Sequence, residues 1–270
     1  MINLNIHMHC LNDVMSEGSE ISCFLSSADI SKQVEESLSC LGWGPDKLLE
    51  IDVSEMKKAK EKLDEKMTIL IFPFEKERLQ PAHYELCLGD EVYVSGQETP
   101  LNLSKQKSGY VVIRPGEIAI LSTMETVYVP RNLIAFISIK VGYKFKGLVN
   151  ISGFHVDPGF IGKLLFTVYN AGPNDVVIKR GDNVFMIMFA HLTKEVDKDK
   201  AYKGKHQYLT RINPEYVAVL RGTPVSPKSL DQRVRKIELW LYVLTATVIP
   251  IVVSVLVAVL VLFLNMGGGR

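Results

Sequence analysis

The chain has 270 residues, 47% of them hydrophobic, which is enough for one substantial core and a small added element. It carries 31 basic and 30 acidic side chains, a formal net charge of +1. That balance excludes bulk electrostatic attraction to nucleic acid, so no nucleic-acid partner is expected. Four cysteines, Cys10, Cys23, Cys40 and Cys87, follow no zinc spacing, and no apolar signal segment opens the chain. They read as reduced cytosolic thiols. HMHC, His7 to Cys10, offers metal donors, but no second ligand cluster follows, and no metal site is expected.

In chain order, Ser26 precedes SADISKQVEESL, and Ser26 with Asp29 forms a variant capping box. Ile30, Val34 and Leu38 fall on one face, which predicts a helix from about Ser27 to Ser39. GWGP, Gly42 to Pro45, breaks it. Lys57 to Lys66 is charged and reads as a solvated helix or loop. From Met67 the pattern turns to strands: TILIFPF, YELCLGDEVYV around Gly89, and GYVVIRPGEIAIL with a turn at Pro115-Gly116. ETVYVP, NLIAFISIKVGY, LVNISGFHV, GKLLFTVYN, NDVVIKRG and NVFMIMFAHL continue it. About ten short strands with turn signals about every 8–12 residues predict an all-β barrel, roll or sandwich. Lys140, Lys144 and Lys146 occupy alternate positions, which on a strand would project to one side as an anion-binding patch or an ordinary solvated face. Asp197 to Tyr216 is polar, EYVAVLRG reads as one more short strand, and TPVSPKSLDQR reads as a linker.

Leu239 to Leu264 carries no charge. As a helix it would be roughly 39 Å long, enough to cross a bilayer with tilt. Pro250 sits inside it, where membrane helices tolerate proline. Arg233, Arg235 and Lys236 precede the span and only Arg270 follows, so the N-terminal domain is expected in the cytoplasm on a single-pass tail anchor. Trp240 and Tyr242 suit the headgroup level. Thr245, Ala246, Thr247, Ser254 and Ala258 are small enough to pack against neighbouring spans. The expected division is an N-terminal segment 1–23, a β domain 24–220, a linker 221–236, a transmembrane helix 237–264 and a tail 265–270.

Five segments within roughly Phe24 to Ile212 resemble, in order, the dCTP deaminase and dUTPase superfamily. LSSADISKQVEE is similar to the deaminases' opening helix, and LQPAHYELCLGDEVYV to their QPxSxDLRLGxxF signature. IRPGEIAILSTMETVYVPRNLIAFI, HVDPGFIGKLLFTVYN and IKRGDNVFMIMF resemble the next three family runs. The resemblance implies a distorted β-roll that forms homotrimers, with sites between subunits and a C-terminal tail folded over a nucleotide. Deaminases of this type release ammonia from cytosine C4 without zinc. The related diphosphatases cleave between α and β phosphates with Mg²⁺ assisting.

Carried over residue by residue, the resemblance gives Asp157 and Lys144 as catalytic positions. Asp157 matches an invariant aspartate near the deoxyribose, and Lys144 stands where deaminases have an arginine. Lys140, Gly153, Phe160, Tyr202, Lys203, Lys205 and Gln207 form the expected nucleotide-binding set. Pro158 and Gly159 keep the family turn, and Gly162 keeps its close approach. Four positions depart. The general acid–base glutamate falls at Thr167, the phosphate-binding serine pair at Lys140 and Val141, and the QL glutamine at Met186. Threonine cannot relay a proton at neutral pH as a carboxylate does. On the residues alone, Asp157 also fits a turn-capping aspartate, His155 a strand position facing solvent or an interface, and Cys87 core packing, while the resemblance implies a place against the trimer core for His83. The expected function is a membrane-anchored domain that binds a pyrimidine deoxynucleotide or serves as a trimeric scaffold, with deamination lost and no cofactor beyond Mg²⁺ for a triphosphate. The alternative is an active dCTP deaminase or dUTP diphosphatase.

Overall fold

The computed structural model describes residues 23–44, 47, 50–220 and 227–267, so the HMHC segment lies outside the described residues. Helix α1 spans Ser27–Leu41. Ser26 Oγ accepts the Asp29 N–H at 3.3 Å while the Asp29 carboxylate accepts the Ser26 N–H, which satisfies two donors that a helix start leaves unpaired. Ile30 and Val34 are buried and Leu38 packs against the core.

Helix α2, Val53–Lys66, corrects the expectation of a solvated segment. Met56, Ala59 and Leu63 recur at helical spacing and are buried against β1 (Leu70–Phe72), Tyr128 and Ile161. An Asp52–Glu55 capping box starts the helix, and the Tyr128 hydroxyl donates to Asp64 at 2.6 Å. The lysines and glutamates that dominate the sequence occupy its outer faces.

The strands are β2 (Leu79–Gln80), β3 (His83–Val94), β4 (Leu101–Asn102), β5 (Tyr110–Ile113), β6 (Ile118–Tyr128), β7 (Leu133–Ile139), β8 (Leu148–Asn150), β9 (His155–Val156), β10 (Ile161–Asn170), β11 (Val176–Lys179) and β12 (Asn183–His191). Ten of them form one antiparallel sheet with the path β8-β10-β6-β3-β12-β7-β9, with β1, β2 and β4 added at its sides. The second sheet pairs β5 with β11. Pro115-Gly116 therefore makes a turn but not a hairpin, since β5 and β6 belong to different sheets. The sheet curls into a half-barrel because β3 and β6 shift register between Leu88 and Val92. Gly89 sits in that shift, where a Cβ would lie 2.5 Å from the Thr123 carbonyl oxygen. Only glycine lets the two strands approach so closely. The core inside the curl joins Tyr84, Leu86, Leu121, Phe166, Phe185 and Phe189. Phe166 and Phe185 stack with centroids 4.0 Å apart.

Two further expectations fail locally. The strand carrying the lysines ends at Ile139, and Val141–Phe145 forms the short helix α3. Lys140 becomes its N-cap and Lys144 lies within it, so the alternate-side strand patch does not exist. The expected short strand at EYVAVLRG is replaced over its first residues by a helix: α4 spans Pro214–Val219, with Asn213 Oδ1 accepting the Glu215 N–H at 2.9 Å and Pro214 in the first turn.

Helix α5, Pro227–Val243, begins inside the expected linker, and α6, Ile249–Gly267, completes the apolar segment. Arg233–Leu264 is long and apolar enough to span a membrane. A π-type turn, Leu244–Val248, lies just ahead of Pro250, whose missing N–H interrupts the helical ladder there. Thr245, Thr247 and Ser254 donate to carbonyls of their own helix, so these hydroxyls relieve the local backbone.

Candidate functional site

A cavity of about 460 Å³ opens on the outer face of β10 and β6. Its floor follows from strand alternation. Phe166 and Val168 point into the core, which leaves Leu165 and Thr167 on the opposite face, and at the register irregularity between Lys163 and Leu165 both Lys163 and Leu164 also line the cavity. Ile120 of β6 extends the floor. One wall is the loop Ser152–Asp157, tied to the floor because the Thr167 carbonyl accepts the N–H groups of Ile151 (2.8 Å) and Ser152 (3.3 Å). The other wall is the tail, with Tyr202, His206, Leu209, the α4 residues Tyr216 and Val219, and the α4 C-cap Leu220.

The Asp157-Pro158-Gly159 turn joins the walls. Gly159 has φ +88°, and a Cβ there would meet Ala201 Cβ at 2.9 Å. The tail is laced to the turn and to β10: Tyr202 N–H to Pro158 O (2.9 Å), Tyr208 N–H to Ile161 O (2.8 Å) and Lys163 N–H to Leu209 O (2.8 Å). Gln207 completes the lacing, accepting the Ile161 N–H at 3.0 Å and donating to Gly159 O at 2.9 Å.

Gly153, Asp157, Phe160, Tyr202 and Thr167 therefore meet in one cavity, as does His155. His155 Nε2 stands 3.5 Å from Asp157 Oδ1, and the aspartate is 48% exposed at the rim. Lys140, Lys144, Lys203, Lys205 and Gln207 do not line the cavity. Lys140 pairs with the Glu85 carboxylate at 2.5 Å, and Lys144 donates to Ser138 Oγ at 2.9 Å. Lys205 lies over the Tyr216 ring, 5.2 Å from its centroid.

Three titratable lining groups are not singled out by the sequence: Lys163, His206 and Tyr216. Lys163 and Leu165 are readable by counting back in twos from Thr167. The other two depend on how the tail folds back. Burial lowers the Lys163 ammonium below the usual lysine range. His206 is also lowered, by burial and then by Lys205, while its ring stacks on Tyr216 at 5.5 Å and 11°. Burial raises the Tyr202 phenol, whose ring meets Phe160 edge-on at 5.8 Å.

Among the described residues no cluster of three His, Cys, Asp or Glu side chains converges on a point, and Asp157 is the one carboxylate lining the cavity. The donors of the described residues thus do not form a dedicated Mg²⁺ cage at this cavity. Cys87 is buried in β3, where burial pushes its thiol up to about 12, consistent with packing rather than reactivity.

Among proteins of known activity, the chain is 36% identical to the dCTP deaminase of Pyrococcus horikoshii over 144 residues, covering 53% of this chain and 88% of that one. The dCTP deaminase of Pyrococcus abyssi is 33% identical over 144 residues, with 53% and 89% covered. The crystal structure of the 2'-deoxycytidine 5'-triphosphate deaminase from Agrobacterium tumefaciens aligns over 64% of this chain and 50% of that one, at 14% identity and a TM-score of 0.44. A family profile described as dCTP deaminase-like matches residues 54–192, which run from α2 through β12 and include the Asp157 turn and Thr167 but neither the tail wall nor the apolar helix. With that match spanning the whole curled sheet, the chain belongs to the dCTP deaminase-like family.

Proposed function

We propose that this protein is a membrane-anchored, deaminase-like domain that binds a pyrimidine deoxynucleotide in the Asp157 cavity and no longer deaminates it. The observation that carries the reading is the cavity's chemistry: Asp157 is kept at the rim while the floor presents the Thr167 side chain. Displacing ammonia from an aromatic ring needs a group that takes a proton from water and returns it to the leaving nitrogen. A threonine hydroxyl has no accessible charged form for that cycle near neutral pH. Asp157 favours the competing reading of retained deaminase or dUTP diphosphatase activity, and the same assay separates them. Full-length protein in detergent is expected to release no ammonia from dCTP above background. Turnover of roughly 0.1 per second or faster overturns the proposal. Binding is expected to survive, and Asp157→Ala to weaken it by roughly 1–3 kcal/mol, about 5–150-fold, through loss of an acceptor.

The domain is proposed to act as a homotrimer with its β domain in the cytoplasm. Phe145 is 86% exposed and Phe154 64%, and Val141 and Ile151 are also exposed. Phe24, Phe136 and Phe154 form a run with centroids 6.1 and 6.3 Å apart. Apolar surface of this kind supports an interface between copies. Sedimentation in density-matched detergent is expected to give three chains per particle, and a monomer at micromolar concentration refutes the assembly.

A further inference from the structure

We propose that Arg233, Lys236 and Trp240 form a site for the headgroup of an anionic phospholipid in the leaflet nearest the β domain. The site rests on the membrane span and not on what the Asp157 cavity binds. It belongs to α5, Pro227–Val243, where the chain passes from polar to apolar sequence. The three positions are i, i+3 and i+7, so they share one face of the helix. All three residues are exposed.

The charges around this face are sorted. Arg235 has Asp231 four residues before it and Glu238 three after, the spacings at which helical side chains pair. Arg233 and Lys236 have no acid at those spacings. Ser229, Leu230 and Ile237 stand there for the first, and Gln232, Leu239 and Trp240 for the second. Each instead has the other, and two like charges one turn apart repel. Among the described residues no carboxylate pairs with Arg233 or Lys236. An anion held between them removes the repulsion and takes charge-assisted hydrogen bonds from both.

Membrane geometry supplies that anion. The membrane-length helix runs over Arg233–Leu264, and its uncharged part starts at Leu239. Trp240 therefore enters at the interface, where an indole packs on apolar chain and donates its N–H. Lys236 and Arg233 stand about 6 and about 10 Å further out along the axis, among the headgroups. A zwitterionic headgroup brings its own ammonium to that place. An anionic headgroup brings net negative charge and gains more from two cations.

The test uses full-length protein in vesicles of phosphatidylcholine and phosphatidylglycerol. One lipid at a time carries bromine on its acyl chains, and quenching of tryptophan fluorescence is read. Trp240 reports the site, and a Trp240→Phe protein gives the background from Trp43, the other tryptophan. Phosphatidylglycerol is expected to occupy the site in preference to phosphatidylcholine by about 5–30-fold at low salt, with the preference shrinking as salt rises. Arg233→Gln combined with Lys236→Gln is expected to bring the preference within about twofold while the chain stays in the membrane. Arg235→Gln alone is expected to keep most of it. Equal quenching by the two lipids overturns the site. So does an Arg235→Gln protein that loses the preference as fully as the double variant, because diffuse charge rather than one face would then attract the lipid. Quenching by neither lipid overturns the membrane span and the site together.

Discussion

Cut before Pro227, the protein is expected to leave the membrane fraction completely, while the full-length chain stays there through alkaline carbonate. The cause lies in Arg233–Leu264. Its large apolar side chains from Leu239 to Leu264 are 44–73% exposed, with no protein surface over them. Each such side chain gains roughly 1.5–3 kcal/mol on leaving water, so the sum over the helix far exceeds the cost of ordering it in lipid. A point test avoids truncation. Val253→Lys with Val257→Lys places two ammonium groups near mid-span, at about 2.5–3.5 kcal/mol each, and is expected to shift the chain toward the soluble fraction. If full-length protein stays soluble without detergent, the span is not a membrane helix. Orientation has its own readout. Arg233, Arg235 and Lys236 on the domain side are expected to hold the β domain in the cytoplasm. Protease added to the cytoplasmic face of sealed vesicles should digest it, and full protection reverses the topology.

The sequence carried the fold further than it carried the site. Local signals sufficed where one residue does one job. Ser26 caps α1, and Asp157-Pro158-Gly159 turns. Helix α2 was read as solvated because three apolar residues, Met56, Ala59 and Leu63, are outnumbered by charges, although their spacing alone fixes the buried face. Helix α4 reads as a short strand because its apolar residues are few and close together, and the signal against that is the Asn213-Pro214 cap ahead of them. The lysine patch failed because β7 stops pairing with β12 at Ile139, a limit set by the partner strand. Thr167 was legible through its neighbours in the family motif. The second wall of the cavity was not, because His206 and Tyr216 reach the floor only when backbone bonds from Tyr202 to Leu209 lay the tail along β10.

Those long-range dependencies are sharpest at Glu125, and the largest stability change is expected there. Its side chain is fully buried on β6. It accepts the Cys87 N–H at 3.1 and 3.0 Å and pairs with Arg78 Nη1 at 2.9 Å. Burial pushes its carboxyl up to about 7, against the opposing pull of the Cys87 N–H and Arg78. The folded protein therefore holds this proton more tightly than the unfolded chain. The stability it contributes is full below the ordinary glutamate range and is lost as pH rises through about 7. Arg78→Met removes the cation and leaves the carboxylate alone in the core, at about 3–5 kcal/mol near neutral pH. The folded pKa then rises further, so the deficit shrinks at pH 5, where the acid can be neutral, and grows toward pH 8 by up to about 1.4 kcal/mol per unit. Glu125→Gln keeps an acceptor for Cys87 and is expected to cost less. Adding it to Arg78→Met should recover stability at pH 8, because no buried charge remains to be compensated. Denaturant unfolding of the four proteins at pH 5 and pH 8 reads all of these differences. If Arg78→Met costs under about 1 kcal/mol, or costs the same at both pH values, the Arg78–Glu125 pair does not stabilise the fold.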